Sequence, residues 1–156
     1  MDVMNLLYET KRALTNVVNE VYDSSIVFGL GLERHTIETE FSAAGLFIAG
    51  ADNDISADEV ELLNFLFDMS VTLEDMPMLI PVLKNIYNDL IVELQMPGWK
   101  ICKTLDNANG SSAATDMYIS TMRLVMSLFA GVDGNVDAAE NKLIDNFIAR
   151  MEKDRL

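Results

Sequence analysis

The chain has 156 residues, half of them hydrophobic, and carries a formal net charge of −14. A chain of this length buries about 68–70% of its unfolded surface on folding, so a core can form without disulfides. The acidity argues against nucleic acid as a ligand, because phosphate neutralisation needs a basic face. We therefore expect cations, basic proteins or basic peptides as partners. The alternative is that the acidity serves solubility alone.

Cysteine content and hydropathy indicate the compartment. Cys102 is the single cysteine, which excludes an intramolecular disulfide and is compatible with a reducing cytoplasm. The chain begins without the basic region and apolar run of a secretory signal. No stretch reaches about 18 uncharged apolar residues, the length expected of a membrane-spanning helix. The prediction is a cytoplasmic protein with no direct membrane insertion.

Apolar residues recur at helical spacing along the chain and predict seven helices and no strand. The first covers residues 2–22 and ends at residues 23–25. The second begins with Thr36 as its cap and ends at Gly50, and the third follows Ser56. The other four are predicted from about 76–80 to 95, at 99–105, from Ser111 or Ser112 to Gly131, and from Asp137 to the basic end of the chain. The predicted fold class is all-α, as a single domain over residues 1–156.

Two stretches repeat each other at a distance of 81 positions, residues 47–66 and residues 128–147. Each consists of the end of an apolar helix, an acidic turn, and a second helix that opens with a glutamate. The identical pairs are Ala49/Ala130, Gly50/Gly131, Asp52/Asp133, Ala57/Ala138, Glu59/Glu140 and Leu62/Leu143. The repeat predicts a compact bundle with pseudo-twofold symmetry between two helix–acidic turn–helix units.

At these turns the sequence resembles the TerB-like family, the helical domains named after the tellurite-resistance protein TerB. The family pattern is a helix running into Ala-Asp-Gly, an apolar residue two places on, and a glutamate that opens the next helix. The matching residues are Ala51, Asp52, Ile55 and Glu59 in the first copy, and Asp133, Gly134, Val136 and Glu140 in the second. Asn53 stands where the pattern has glycine and Val132 where it has alanine. Asparagine tolerates left-handed backbone geometry, so the first departure is compatible with the same backbone.

The resemblance implies a non-enzymatic cytoplasmic domain that acts in stress-response or membrane-associated complexes. It also implies that paired acidic residues hold a metal ion. The positions carried over for that role are Asp52, Glu59, Asp133 and Glu140.

Ligand counting identifies half a calcium loop at each turn. If Glu59 is the twelfth residue of an EF-hand loop, Asp52 is the fifth and Asp54 offers the carbonyl of the seventh. The corresponding residues of the second turn are Glu140, Asp133 and Asn135. The first and third positions supply no side-chain oxygen, so each turn offers about three or four oxygens where calcium takes about 6–8. A site therefore needs both turns, and its oxygen ligands suit Ca²⁺, Mg²⁺ or Mn²⁺ rather than zinc.

A purely structural interpretation of these residues stays open. Ser56 and Glu59 have the spacing of a capping box, and the second turn repeats the arrangement with aspartate in place of serine. Carboxylates at a helix start are also favoured by the helix dipole. His35 and Cys102 lack partners at ligand spacing, which argues against zinc binding and thiol catalysis.

Two functional hypotheses follow. The first is a TerB-like adaptor that binds a divalent cation at the paired turns. The second is an acidic immunity or inhibitor protein that neutralises a basic toxin through charge complementarity. The densest acidic patch, residues 52–75, contains no lysine or arginine. It is a solvated face by default, and the hypothesis is that it docks a basic partner.

Overall fold

The computed structural model describes residues 3–49, 55–131 and 138–155, and within these ranges the chain forms seven α-helices and no strand. The all-α prediction is confirmed. The helices are α1 Val3–Val27, α2 Arg34–Ala49, α3 Ala57–Phe67, α4 Met76–Tyr87, α5 Pro97–Asn109, α6 Ala113–Gly131 and α7 Ala138–Asp154. A 3₁₀ turn, Leu73–Asp75, precedes α4, and a π-helical turn, Asn88–Val92, follows it. No helix in these ranges is both long and apolar enough to cross a membrane.

The first helix is longer than predicted. It continues through residues 23–25 to Val27, because the Ser25 hydroxyl donates to the Tyr22 carbonyl at 2.7 Å and does not break the helix. The same oxygen accepts the Leu32 amide at 3.2 Å, which closes the following loop. Gly29, at φ +74°, is the residue that turns the chain away from the helix.

Other boundaries also differ from the predicted ones. The fourth helix, predicted to reach residue 95, ends at Tyr87 and is followed by the π-helical turn that ends at Val92. Thr36 lies inside α2, since its amide already donates to the Glu33 carbonyl at 3.1 Å. The fifth helix extends through the predicted turn at 106–110 and stops at Gly110, which adopts φ +60°. Asp106 does not form a turn there, because its carboxylate accepts amides at the start of the next helix instead.

The core surrounds α6, which packs against α1, α2, α5 and α7. Its central side chain is Tyr118, fully buried, with its ring 4.8 Å from that of Phe41 and 5.3 Å from that of Trp99. Phe129, near the C-terminal end of α6, is also buried. Aromatic side chains from three helices therefore fix the positions of α2, α5 and α6.

Candidate functional site

Of the six residues predicted to bind a metal, the structure describes two, Glu59 and Glu140. The other four, Asp52, Asp54, Asp133 and Asn135, lie outside the described residues.

At the first turn, Glu59 forms the predicted capping box with Ser56. The Ser56 hydroxyl accepts the Glu59 amide at 3.2 Å, and the Ser56 amide donates to Glu59 Oε1 at 2.8 Å. Glu59 is only 6% exposed. A buried carboxylate needs hydrogen bonds and a favourable field, and the start of α3 supplies both. The capping role of Glu59 is thus confirmed. A carboxylate accepts up to about four hydrogen bonds, so this cap is compatible with cation binding by the same group.

At the second turn, α7 begins at Ala138, and Glu140 lies half-buried in its first turn. The start of α3 at Ala57 precedes Ala138 by the same 81 positions that separate the two repeat copies. The cap predicted at Asp137 lies outside the described residues.

The helices that lead into the two turns lie side by side. Along α2, Glu40 contacts Tyr118, and further on Gly45 contacts Phe129, so α2 and α6 run in the same direction. A Cβ added at Gly45 would lie 2.5 Å from the Phe129 ring, which shows how closely the two helices approach. Each helix ends within about one turn of this contact, so the C-terminal ends of α2 and α6 lie near each other.

Outside these turns, the described residues contain no group of three or more His, Cys, Asp or Glu side chains that could hold a metal. His35 is exposed, with Nδ1 3.0 Å from a carboxylate oxygen of Glu33. Cys102 is buried, and this burial raises the pKa of its thiol far above the ordinary range. A thiol held in its neutral form is a poor nucleophile and a poor metal ligand.

The sequence did not identify a buried carboxylate, Glu40, that joins three helices. Its Oε2 accepts the Gly98 amide at 2.9 Å, and its Oε1 accepts the Trp99 amide at 3.3 Å. The Tyr118 hydroxyl donates to Oε1 at 2.5 Å. Gly98 and Trp99 belong to the first turn of α5, so Glu40 of α2 caps that helix from across the core.

The protonation of Glu40 depends on the balance between burial and these donors. Burial is the largest influence and raises its pKa to about 7, while the bonds from Tyr118, Gly98 and Trp99 act in the opposite direction. The same burial, with the nearby carboxylate, raises the pKa of Tyr118 well above 10, so its hydroxyl remains a donor. A pKa near 7 predicts that this network changes its protonation near neutral pH.

Several of the few cations are paired between helices. Lys11 of α1 bonds Asp68, the residue that follows α3, at 2.9 Å. Arg155 bonds Asp116 of α6 at 2.6 Å. Lys103 and the Trp99 indole both donate to Asp154 at 2.8 Å, and these bonds lower the pKa of that carboxyl. These cations neutralise specific carboxylates and leave the excess negative charge elsewhere.

A groove lies between the N-terminal half of α1 and α3, with a volume of about 440 Å³. Its apolar walls and acidic rim are formed by Met4, Leu7, Asp58, Glu61, Leu62 and Phe65. The rim residues Asp58 and Glu61 are exposed and belong to the acidic patch predicted from the sequence.

No family model matches the chain, and no curated protein or solved structure shows significant similarity to it. The resemblance to the TerB-like family therefore stays a prediction.

Proposed function

We propose that this chain is a non-enzymatic, cytoplasmic TerB-like adaptor that binds a divalent cation between its two acidic turns and docks a basic protein. The observation that carries the proposal is the parallel packing of α2 and α6, whose final turns meet where Gly45 contacts Phe129. Two half-loops can combine into one oxygen-rich site only if their helices deliver them to the same place. The nearness of the two helix ends supports such an arrangement.

The residues proposed to hold the cation are Asp52, Asp54, Glu59, Asp133, Asn135 and Glu140. All offer hard oxygen donors, which suits Ca²⁺, Mg²⁺ or Mn²⁺. A bound cation would cross-link the two halves of the fold and offset charge repulsion between the turns. The proposed role is structural and regulatory, in a stress-response or membrane-associated complex.

Titration of the isotope-labelled protein with calcium, magnesium and manganese tests the cation site. We expect NMR shift changes with calcium or magnesium, and line broadening with paramagnetic manganese, concentrated at the residues flanking both turns. Glu59→Gln and Glu140→Gln should each lose affinity by about tenfold or more. Glutamine still completes a capping box, so Glu59→Gln removes the charge while keeping the cap. Glu74→Gln, an exposed acid outside the turns, is the matched control and should bind like the parent.

Two results would count against the paired site. Spectra that do not change at millimolar metal would exclude it. Loss of binding in Glu59→Gln with normal binding in Glu140→Gln would show a site at one turn only.

The second candidate function is an acidic immunity protein that masks a basic toxin. The observation in its favour is the exposed acidic surface of α3 and the following 3₁₀ turn, which includes Asp58, Glu61, Glu74 and Asp75. A toxin gene beside this one, and a salt-sensitive complex between the two products, would favour it. A salt-insensitive complex with an uncharged partner would contradict it.

A further inference from the structure

We propose that the groove between α1 and α3 is the docking site for an amphipathic helix whose flanks are basic. The inference rests on the proposed adaptor role, because it supplies the partner that such a role requires. It does not invoke the cation, since the described residues that line the groove belong to α1 and α3.

The two helices form the groove by running in parallel. Tyr8 of α1 meets Phe65 of α3 edge-on at 5.6 Å. One turn further, Lys11 bonds the Phe65 carbonyl at 2.5 Å and Asp68 at 2.9 Å. These contacts hold the two helices together beside Phe65, which lines the groove together with Met4 of α1.

The walls of the groove expose apolar surface to solvent. Met4, in the wall of the groove, is 52% exposed, and Tyr8, whose ring meets that of the lining residue Phe65, is 54% exposed. Apolar side chains that line a concave surface commonly receive a partner. From Asp58 to Phe65 the groove follows α3 for about 10 Å, a length that matches two turns of a guest helix with anchors at i, i+4 and i+7.

The charge around the groove selects a basic guest. Asp58 and Glu61 project from its rim. Lys11, which lies over the ring of the lining residue Phe65, is neutralised by Asp68. A lysine or arginine on either side of the guest's apolar stripe would therefore meet a carboxylate. Attraction between these opposite charges also accelerates association.

A second copy of this chain is a poor occupant by comparison. Its net charge of −14 opposes self-association. Two arginines near its C-terminal end are already engaged, with Arg150 donating to the Ile91 carbonyl at 3.1 Å and Arg155 bonded to Asp116 and Glu152.

The test uses a dye-labelled synthetic peptide of about 16 residues, long enough to form a helix, with leucines at the three anchor positions and lysines on both flanks. A matched peptide carries glutamate at every lysine. Fluorescence anisotropy of the full chain should show binding of the lysine peptide alone, and binding should weaken as salt rises. NMR shift changes should map to the N-terminal half of α1 and to α3.

Variants distinguish this groove from general acidity. Met4→Ser should weaken binding about fivefold, because it removes apolar surface that the guest covers. Met78→Ser, at another exposed methionine, is its control and should bind like the parent. Glu61→Lys should weaken binding by about fivefold or more, and Glu74→Lys should change it by less than about twofold.

Three results would overturn the inference: no binding up to about 1 mM peptide, equal effects of Met4→Ser and Met78→Ser, or shift changes on another face. Self-association of the chain that Met4→Ser abolishes would identify a second copy as the occupant instead. Each titration is repeated in a metal chelator. Cation binding without peptide binding contradicts only the groove, and peptide binding without cation binding contradicts only the paired turns.

Discussion

Glu40 is the residue whose environment most affects the chemistry of this fold. It is one of two glutamates close together in α2, yet it is fully buried while Glu38 is half-buried. A sequence signal for this did exist. Glu40 occupies the same helical stripe as Ile37, Phe41 and Ala44, where an apolar residue is expected. What the stripe could not reveal is the partner, because Gly98 lies 58 positions away along the chain.

Replacing Glu40 should change how stability depends on pH. Burial raises the pKa of Glu40 from an ordinary 4.5 to about 7 in the folded protein. Between these two pH values the folded state therefore binds more protons than the unfolded state. The stabilisation that comes from protonated Glu40 is therefore complete below about pH 4.5 and is lost as the pH rises through 7. Between pH 5 and pH 8 this loss amounts to about 2–3 kcal/mol.

In Glu40→Gln that pH-dependent loss should disappear. The variant should also be less stable at pH 5 by about 1–3 kcal/mol, because the amide group faces a backbone donor and leaves it unpaired. Urea unfolding at several pH values measures both effects, and the exposed Glu9→Gln serves as the control. Parallel pH curves for the parent and Glu40→Gln would show that Glu40 does not titrate in this range.

At the scale of the element, the helix starts were predictable where the cap is local. The Ser56–Glu59 box spans three positions, and its geometry follows from that spacing. The start of α6 was not predictable in the same way. The Ser111 hydroxyl accepts the Ala113 amide at 3.0 Å. The next two amides of α6 donate instead to the carboxylate of Asp106, which lies in the last turn of α5. Partial burial raises the pKa of Asp106, but its bonds to Thr115 and Ala114 outweigh this and lower it overall.

The cap of α3 gives a prediction at this scale. Ser56→Ala removes the acceptor of the Glu59 amide and should lower the free energy of unfolding by about 1 kcal/mol. Chemical denaturation measures the change. Ser127→Ala, in the exposed middle of α6, should leave stability unchanged or raise it slightly, since alanine is the better helix former. Equal values for both variants would mean that the box contributes nothing to stability.

At the scale of the molecule, negative charge dominates. A net charge of −14 on a chain of 156 residues destabilises the compact state by self-repulsion. Interhelical pairs such as Lys11 with Asp68 and Arg155 with Asp116 neutralise only a few carboxylates. Screening by salt and specific binding of a cation should both stabilise the fold. At equal ionic strength screening is the same for every salt, so any additional stabilisation by one cation reports specific binding.

Thermal unfolding in sodium chloride and in calcium chloride of equal ionic strength separates these effects. Both salts should raise Tm by screening. If the paired turns bind calcium, a concentration of about 100 times Kd adds about 2.7 kcal/mol, which corresponds to several degrees for a domain of this size. The additional rise should vanish in Glu59→Gln and persist in Glu74→Gln. Identical Tm values in the two salts would contradict a calcium site.

The sequence by itself determined what depends on neighbouring residues. Helical periodicity established the all-α class, and the three-residue spacing of Ser56 and Glu59 established the cap, because both are local properties of the backbone. Only the tertiary structure decided which distant groups meet. It buried Glu40 against Gly98, brought the end of α2 against Phe129 of α6, and aligned α1 with α3 to form the groove. These contacts follow from how the apolar faces pack together, which no local pattern specifies.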